Sequence, residues 1–287
     1  MNPKSFEYHA PKSVEEASAL AGKYGMDAKF LAGGQSLIPL MKLRLLSPSH
    51  LIDLGRIPAL SYIKDEGNGI AIGAMTRVAE LARSDLVRRR CPILGECANV
   101  IADPLVRNMG TIGGNLSHAD PTNDMPAVAV ATGASIVASS GRGSRAIPAT
   151  DFFVDTFTTS LKGGEILVEV KVPTGPTKRG AYLKLERQAG DFAIVGVAAV
   201  LEVSDGMCTS AGIALTGVGP TVVRAGRAEG ILKETALANK TIDEASRAAA
   251  EEARPYSDLR GTAEYKRKMV EVMTGRAIRT VVGRREE

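Results

Sequence analysis

The chain has 287 residues, a formal net charge of +4, and 44% hydrophobic and 24% charged residues, enough for about two compact units with a core in each. Aromatic residues make up 4% and Trp is absent, which argues against a base-stacking nucleic-acid platform. Cys91, Cys97 and Cys208 are odd in number and lack any C-x-x-C spacing; they exclude an iron–sulfur or zinc site built from them alone and make a disulfide framework unexpected.

Ser5–His9 is a short strand candidate, and Ser13 with Glu16 spells a capping box opening a helix. Val14, Ala17, Leu20, Ala21 and Tyr24 form its apolar stripe, and Gly25 is the natural stop. Lys29–Ala32 follows as a buried strand running into Gly33-Gly34, and Leu51–Leu54 closes a first lobe over residues 1–55. This is an α/β arrangement with a loop leaving a strand end, where such folds place ligands.

A second lobe spans 56–176. Ile70–Ala74 reads as a strand, Thr76–Ala82 as a short helix, and Pro92–Val100 as a helix with Pro92 in its first turn. Met125–Thr132 is a small-residue helix and Ser135–Ala138 a strand. Ile166–Val172 alternates, with Ile166, Val168, Val170 and Val172 on one face. Pro173-Thr174-Gly175-Pro176 marks a boundary. The remainder, 177–287, begins as an antiparallel meander: Ala181–Glu186, Phe192–Val203, a Ser204-Asp205-Gly206 turn and Thr209–Thr216. Helices end it, one opened by a capping box at Thr241 and Glu244, the other long and basic over Thr262–Val282. The class is α+β. The late basic excess (Arg260, Lys266, Arg267, Lys268, Arg276, Arg279, Arg284 and Arg285) suits a solvated helix face or a docking patch for an acidic partner. The first residues carry no apolar targeting segment and no stretch approaches a membrane span, so the expected location is cytoplasmic, with membrane association at most peripheral.

The strongest chemical signal is a matched pair, Ala32-Gly33-Gly34-Gln35-Ser36 and Thr111-Ile112-Gly113-Gly114-Asn115. Each joins Gly-Gly to a side-chain amide with a hydroxyl nearby. Adjacent glycines let a ligand approach the backbone, and successive N–H groups converge on an anion. Two such loops facing each other suit a diphosphate held from both sides without Lys or Arg. Each Gly-Gly taken alone reads more readily as a tight turn, and it is the matched pair that points to a ligand. Neither a P-loop nor a Rossmann fingerprint is present. His9, His50 and His118 stand apart in sequence without an H-x-x-x-H pairing, so no metal site is expected.

The segments Ala32–Arg44 (AGGQSLIPLMKLR) and Ile101–Asp124 (IADPLVRNMGTIGGNLSHADPTND) closely resemble the FAD-binding subunit of molybdenum hydroxylases, the xanthine dehydrogenase family, on its aerobic carbon monoxide dehydrogenase branch. The likeness extends through Tyr182–Ala193 and Asp258–Lys266 and covers nearly the whole chain. It implies a two-lobed FAD-binding domain followed by an antiparallel sheet with helices. Ala32, Gly33, Gly34, Gln35, Ser36 and the adjoining Leu37 are expected on one side of the FAD diphosphate, and Thr111, Ile112, Gly113, Gly114 and Asn115 on the other. Asp124 is expected to accept hydrogen bonds from the adenosine ribose, with Ile101 and Leu167 lining the flavin and adenine environments and Lys184 and Phe192 near the isoalloxazine. Position 35, often His on that branch, is Gln here.

Several of these residues have a second reading. Asp124 suits a helix cap, Asp103 a turn, Arg107 a carboxylate pair and Phe192 a core position, while His118 fits a structural role. The resemblance further implies non-covalent FAD, no catalytic or metal-binding residue on this chain, and two partners. A large subunit holds the molybdenum cofactor and a small one two [2Fe–2S] clusters, together a dimer of heterotrimers. Electrons from the nearer cluster pass through FAD to an external acceptor. A purine, aldehyde or N-heteroaromatic hydroxylase, a self-sufficient FAD oxidase and a non-redox nucleotide-binding module are the alternatives.

Overall fold

In this computed structural model, which describes residues 2–283, Ser13 accepts from the Glu16 N–H and caps α1 (Val14–Tyr24), while Gly25 at φ 55° ends it. Glu16 reaches back to the N–H of Lys12 rather than that of Ser13. The strands β1 (Glu7–His9), β2 (Ala28–Leu31) and β3 (His50–Asp53) form a parallel sheet in the order β1-β3-β2. Its apolar face, Ala28 and Ile52, packs on Ala17 of α1. A short helix, α2 (Leu37–Lys42), follows the first glycine segment.

The middle region is a five-stranded antiparallel sheet in the order β4 (Ile63–Asp65), β5 (Gly69–Gly73), β10 (Ile166–Pro173), β6 (Ser135–Ser140), β7 (Gly143–Pro148). Between β5 and β6 run α3 (Val78–Arg83), α4 (Asp85–Arg90), α5 (Pro92–Val100), α6 (Pro104–Met109), α7 (Ile112–His118) and α8 (Met125–Thr132). A short α9 (Ala149–Phe152) and the small pair β8 (Phe153–Asp155) and β9 (Thr158–Thr159) precede β10. The expected clean alternation of β10 fails. A bulge between Leu167 and Glu169 switches its faces, so that Ile166 and Val168 pack on the first core while Leu167, Val170 and Val172 join the second.

The last region is the expected meander, β11 (Lys178–Leu185), β12 (Val195–Ser204), β13 (Met207–Thr216) and β14 (Val223–Arg224), antiparallel throughout. One face packs on α10 (Gly226–Leu232), α11 (Asn239–Glu252) and α12 (Ala263–Val281). The other packs on α8, where a Cβ on Gly212 meets the Ala131 carbonyl. Thr262 caps α12, but the expected box at Thr241 does not form: the N-cap of α11 is Ala238, three residues earlier, after Leu237 turns the chain at φ 53° and with Ile242 anchored in the core. Local propensity yields here to packing.

The basic excess is largely paired. Lys266 is buried against Asp258 and the Tyr256 carbonyl, and Lys268, Arg279 and Arg260 bond Glu271, Asp243 and Asp191. Arg284 and Arg285 lie outside the described residues. Cys91, Cys97 and Cys208 are free and buried. Among the described residues, no helix is long and apolar enough to cross a membrane.

Candidate functional site

The two glycine segments meet. A Cβ placed on Gly33 lies 2.7 Å from the Gly110 Cα and collides with the Met109 carbonyl, and one on Gly114 lies 3.2 Å from the Ala32 Cβ. The first segment is an elbow between the end of β2 and α2, with Gly34 at φ +73°. The backbone N–H groups of Gly34, Gln35 and Ser36 take no acceptor among the described residues, while Ser36 and Gly34 carbonyls start α2. Three successive unpaired donors beginning at the left-handed Gly34 make an anion-receiving concavity. The Gln35 amide folds back on the Gly33 carbonyl.

The second segment is not a loop. Thr111 caps α7, its hydroxyl accepting from the Gly114 N–H at 3.2 Å, and Ile112–His118 is helical. The N–H groups of Ile112 and Gly113 are already bonded to the carbonyls of Thr76 and Ala74. Gly113 is required because its missing Cβ would sit 2.6 Å from the Ala74 Cβ. Its glycine therefore serves backbone packing, a correction to the picture of two equivalent N–H cradles. What this side offers is side-chain chemistry: the Thr111 hydroxyl and the Asn115 amide, whose Oδ1 is buried without a partner. An orphaned buried amide oxygen and an open N–H concavity, on two segments that touch through Gly114 and Ala32, are the pattern of a site awaiting polar ligand atoms. The open N–H groups, the Thr111 hydroxyl and the Asn115 amide NH2 are donors that fit the diphosphate of FAD, while the Asn115 Oδ1 accepts only and suits a ligand hydroxyl or N–H.

Asp124, 5% exposed, does not cap α8. Its carboxylate accepts from the Tyr182 hydroxyl at 2.5 Å and from Lys184 Nζ at 3.1 Å. Lys184 also donates to the Val100 carbonyl and lies 3.2 Å from Glu186. Burial raises the Asp124 carboxyl above its ordinary range, against the opposing pull of Lys184 and Tyr182. Burial, then the Asp124 charge, pushes the Tyr182 phenol up. The cluster lies beside Ile101, where Arg107 donates to the carbonyls of Ile101 and Ala102 rather than to a carboxylate. Sequence reasoning missed Tyr182 as a member of this cluster, since only the pleat of β11, setting Tyr182 and Lys184 on one face, reveals it.

Other expected positions fall apart from the elbows. Leu167 is buried in the core at the β10 bulge, its side chain committed to packing. Phe192 is 47% exposed, ahead of β12 and beneath the Arg260 guanidinium, so it is not a core residue. Leu37 begins α2. Asp103 caps α6 through the N–H groups of Leu105 and Val106. His118 packs on Phe157, and burial lowers its pKa. His9 and His50, expected to be isolated, are instead 3.2 Å apart.

A glycine elbow at the exit of a parallel β-α-β unit, facing an amide-bearing helix start on a separate antiparallel sheet, defines a two-lobed dinucleotide-binding architecture. Residues 4–175 match the family described as FAD binding domain in molybdopterin dehydrogenase, and residues 180–281 match the CO dehydrogenase flavoprotein C-terminal domain. The chain is 46% identical to the carbon monoxide dehydrogenase medium chain of Hydrogenophaga pseudoflava over 97% of both chains. It is 40% identical to 6-hydroxypseudooxynicotine dehydrogenase complex subunit alpha of Paenarthrobacter nicotinovorans, over 97% of this chain and 95% of that one. Among solved structures, it superposes on carbon monoxide dehydrogenase from Hydrogenophaga pseudoflava lacking the Mo-pyranopterin moiety, with TM-score 0.97, 47% identity and full coverage of both chains. The chain belongs to the molybdenum hydroxylase family as its FAD-binding, electron-transferring subunit.

Proposed function

We propose that the chain is the FAD subunit of a carbon monoxide dehydrogenase-like complex, taking electrons from [2Fe–2S] clusters on a small subunit and passing them to an external acceptor such as a quinone. A large subunit with the molybdenum cofactor oxidises the substrate, two heterotrimers associate, and the assembly works in the cytoplasm. The observations that support this best are the contacts of Gly33 with Met109–Gly110 and of Gly114 with Ala32, which join the two glycine segments. The 46% and 40% identities to relatives named for different substrates support the reading that substrate choice resides in the large subunit rather than in this chain.

In this reading Ala32–Ser36 and Thr111–Asn115 hold the diphosphate, non-covalently and without a cationic side chain, as expected for backbone-based anion binding. FAD, when bound, supplies the ability to accept electrons singly and release them in pairs. A carboxylate can accept about four hydrogen bonds; Tyr182 and Lys184 use two on Asp124 and fix the remainder toward ribose hydroxyls. Phe192, exposed and backed by Arg260, is available to cover the flavin ring. Residues 1–55 and 56–176 act as the two FAD lobes, and 177–287 as the unit that sets Tyr182 and Lys184. Affinity purification of the native chain, with flavin, molybdenum and iron measured on the complex, tests the proposal. Flavin with stoichiometric molybdenum and iron–sulfur partners is expected; a flavin-containing chain that is isolated alone and oxidises a small molecule unaided would overturn it.

A further inference from the structure

The parallel pairing of β1 with β3 sets Glu7 opposite His50 and leaves Glu7 and His9 on one face, two residues apart. Three ligand atoms converge there: His9 Nε2 and His50 Nδ1 at 3.2 Å, His50 Nδ1 and Glu7 Oε2 at 3.4 Å, and His9 Nε2 and Glu7 Oε2 at 3.9 Å. All lie within 4.8 Å of one another. Ligand atoms around a tetrahedral zinc, each about 2.0–2.2 Å from the metal, stand about 3.4 Å apart. An imidazole–imidazole hydrogen bond accounts for one of these separations, and a protonated ring paired with Glu7 is the metal-free arrangement that titration with Co2+ separates from a metal site. Among the described residues, Glu7 makes no ion pair with Lys or Arg.

The rings are held in place. Tyr24, the last residue of α1, stacks on His50 at 3.7 Å and on His9 at 5.1 Å. The histidine side chains are 19% and 17% exposed, whereas Glu7 is 71% exposed, so two ligands are fixed and the third closes from solvent. His50 opens β3, whereas the glycine elbow follows the last residue of β2, placing this cluster toward the opposite end of the sheet from the flavin elbow. We propose that Glu7, His9 and His50 form a zinc site with two imidazole nitrogens and one carboxylate oxygen, a fourth position left to water. Two nitrogens and one hard oxygen in a tetrahedral set favour zinc over calcium or magnesium, which prefer more oxygen ligands. Bound zinc ties the N-terminal strand to β3.

The tag-free full chain, stripped with chelator, is titrated with Co2+ as a spectroscopic probe and then with Zn2+ in competition. One Co2+ per chain with the intense visible bands of tetrahedral coordination, displaced by Zn2+, is expected. Glu7→Gln and His50→Gln should each weaken binding by about 100-fold or more, beyond the effect of losing an outer-shell partner, with the circular dichroism spectrum and flavin content unchanged. Glu7→Gln is an isosteric change at an exposed position, so it decides the matter if His50→Gln does not fold. Weak octahedral bands in the wild type, sulfur-to-cobalt charge-transfer bands, or wild-type affinity in Glu7→Gln would overturn the proposal.

Discussion

Gly33→Ala probes the contact on which the proposed flavin site rests. The added methyl group would stand 2.7 Å from the Gly110 Cα and 2.8 Å from the Met109 carbonyl carbon, whereas ordinary contact begins at 3.4 Å. The neighbour is backbone, and the Met109 carbonyl oxygen lies closer still than the Gly110 Cα, so relief requires the Met109–Gly110 segment to retreat by more than about 0.7 Å, the shift that takes the Gly110 Cα alone from 2.7 to 3.4 Å. That segment is anchored through the bonds of Val78 N–H to Gly110 O and Gly110 N–H to Val106 O, and through the Thr111 cap of α7. Overpacking of this kind costs about 1–3 kcal/mol, which corresponds to about 5- to 150-fold in FAD affinity if the strained geometry is the one that binds. Equilibrium titration of the apoprotein with FAD, followed by flavin fluorescence, measures the change. Gly22→Ala, with nothing within 4 Å of its added Cβ, is the control and should stabilise α1 by about 0.5–1 kcal/mol without touching affinity. Wild-type FAD affinity and thermal stability in Gly33→Ala would refute the packed-elbow reasoning.

Thr111→Ala removes the acceptor for the Gly114 N–H and should cost about 0.5–2 kcal/mol of stability with loss of flavin; Thr111→Ser should restore both, read by denaturant unfolding and absorbance. Lys184→Met leaves the buried Asp124 carboxylate with Tyr182 alone and should destabilise by about 3–5 kcal/mol at neutral pH, much of it recovered in the Asp124→Asn, Lys184→Met double variant. Because burial raises the folded-state pKa of Asp124 above 3.8, its contribution is fully present below about 3.8 and is lost as pH rises through the folded value; Lys184→Met should therefore be relatively more stable in acid than at pH 7, measured by urea unfolding across pH. Glu165 behaves oppositely. The Arg145 guanidinium holds its carboxyl down to about 2 from 4.5, so its stabilisation is present above about 4.5 and is lost as pH falls toward 2. Arg145→Met should flatten that part of the acid-unfolding profile; an unchanged profile would show the pair to be idle.

Helix limits were legible where local chemistry decides them: the Ser13 cap, Pro92 in the first turn of α5, and Gly25 after α1 all stand where the sequence places them. The glycine pair was legible as a site but not in its mechanics. A sequence shows that Gly33 and Gly113 lack a Cβ; it does not show that the space is filled by Met109–Gly110 and Ala74 rather than by ligand. The β10 bulge was hidden because an alternating string reads identically with or without an inserted residue. The meeting of His9 and His50 was illegible for a different reason. It requires the register of β1 on β3, a contact between residues 41 apart, and no spacing rule along the chain encodes a parallel pairing.

In the proposed flavin site the C-terminal sheet takes part as well, again through contacts between residues far apart in sequence. The elbows come from the first two sheets, yet the carboxylate beside them is set by the third. Asp124 is gripped by Tyr182 and Lys184 of β11, and the Thr216 hydroxyl at the end of β13 lies 2.8 and 2.7 Å from the carbonyls of Pro121 and Asn123. The Gly217 N–H bonds the Pro121 carbonyl as well, and Asn123 in turn donates its amide to the Asn115 carbonyl. A continuous hydrogen-bonded route thus runs from β13 through the 121–124 turn to the amide-bearing start of α7. Buried polar routes of this kind lose most when only one partner is removed. Thr216→Val, nearly isosteric, should therefore lower flavin affinity although Thr216 has no place among the elbow residues, and unchanged affinity in that variant would reduce the C-terminal sheet to a mere packing partner.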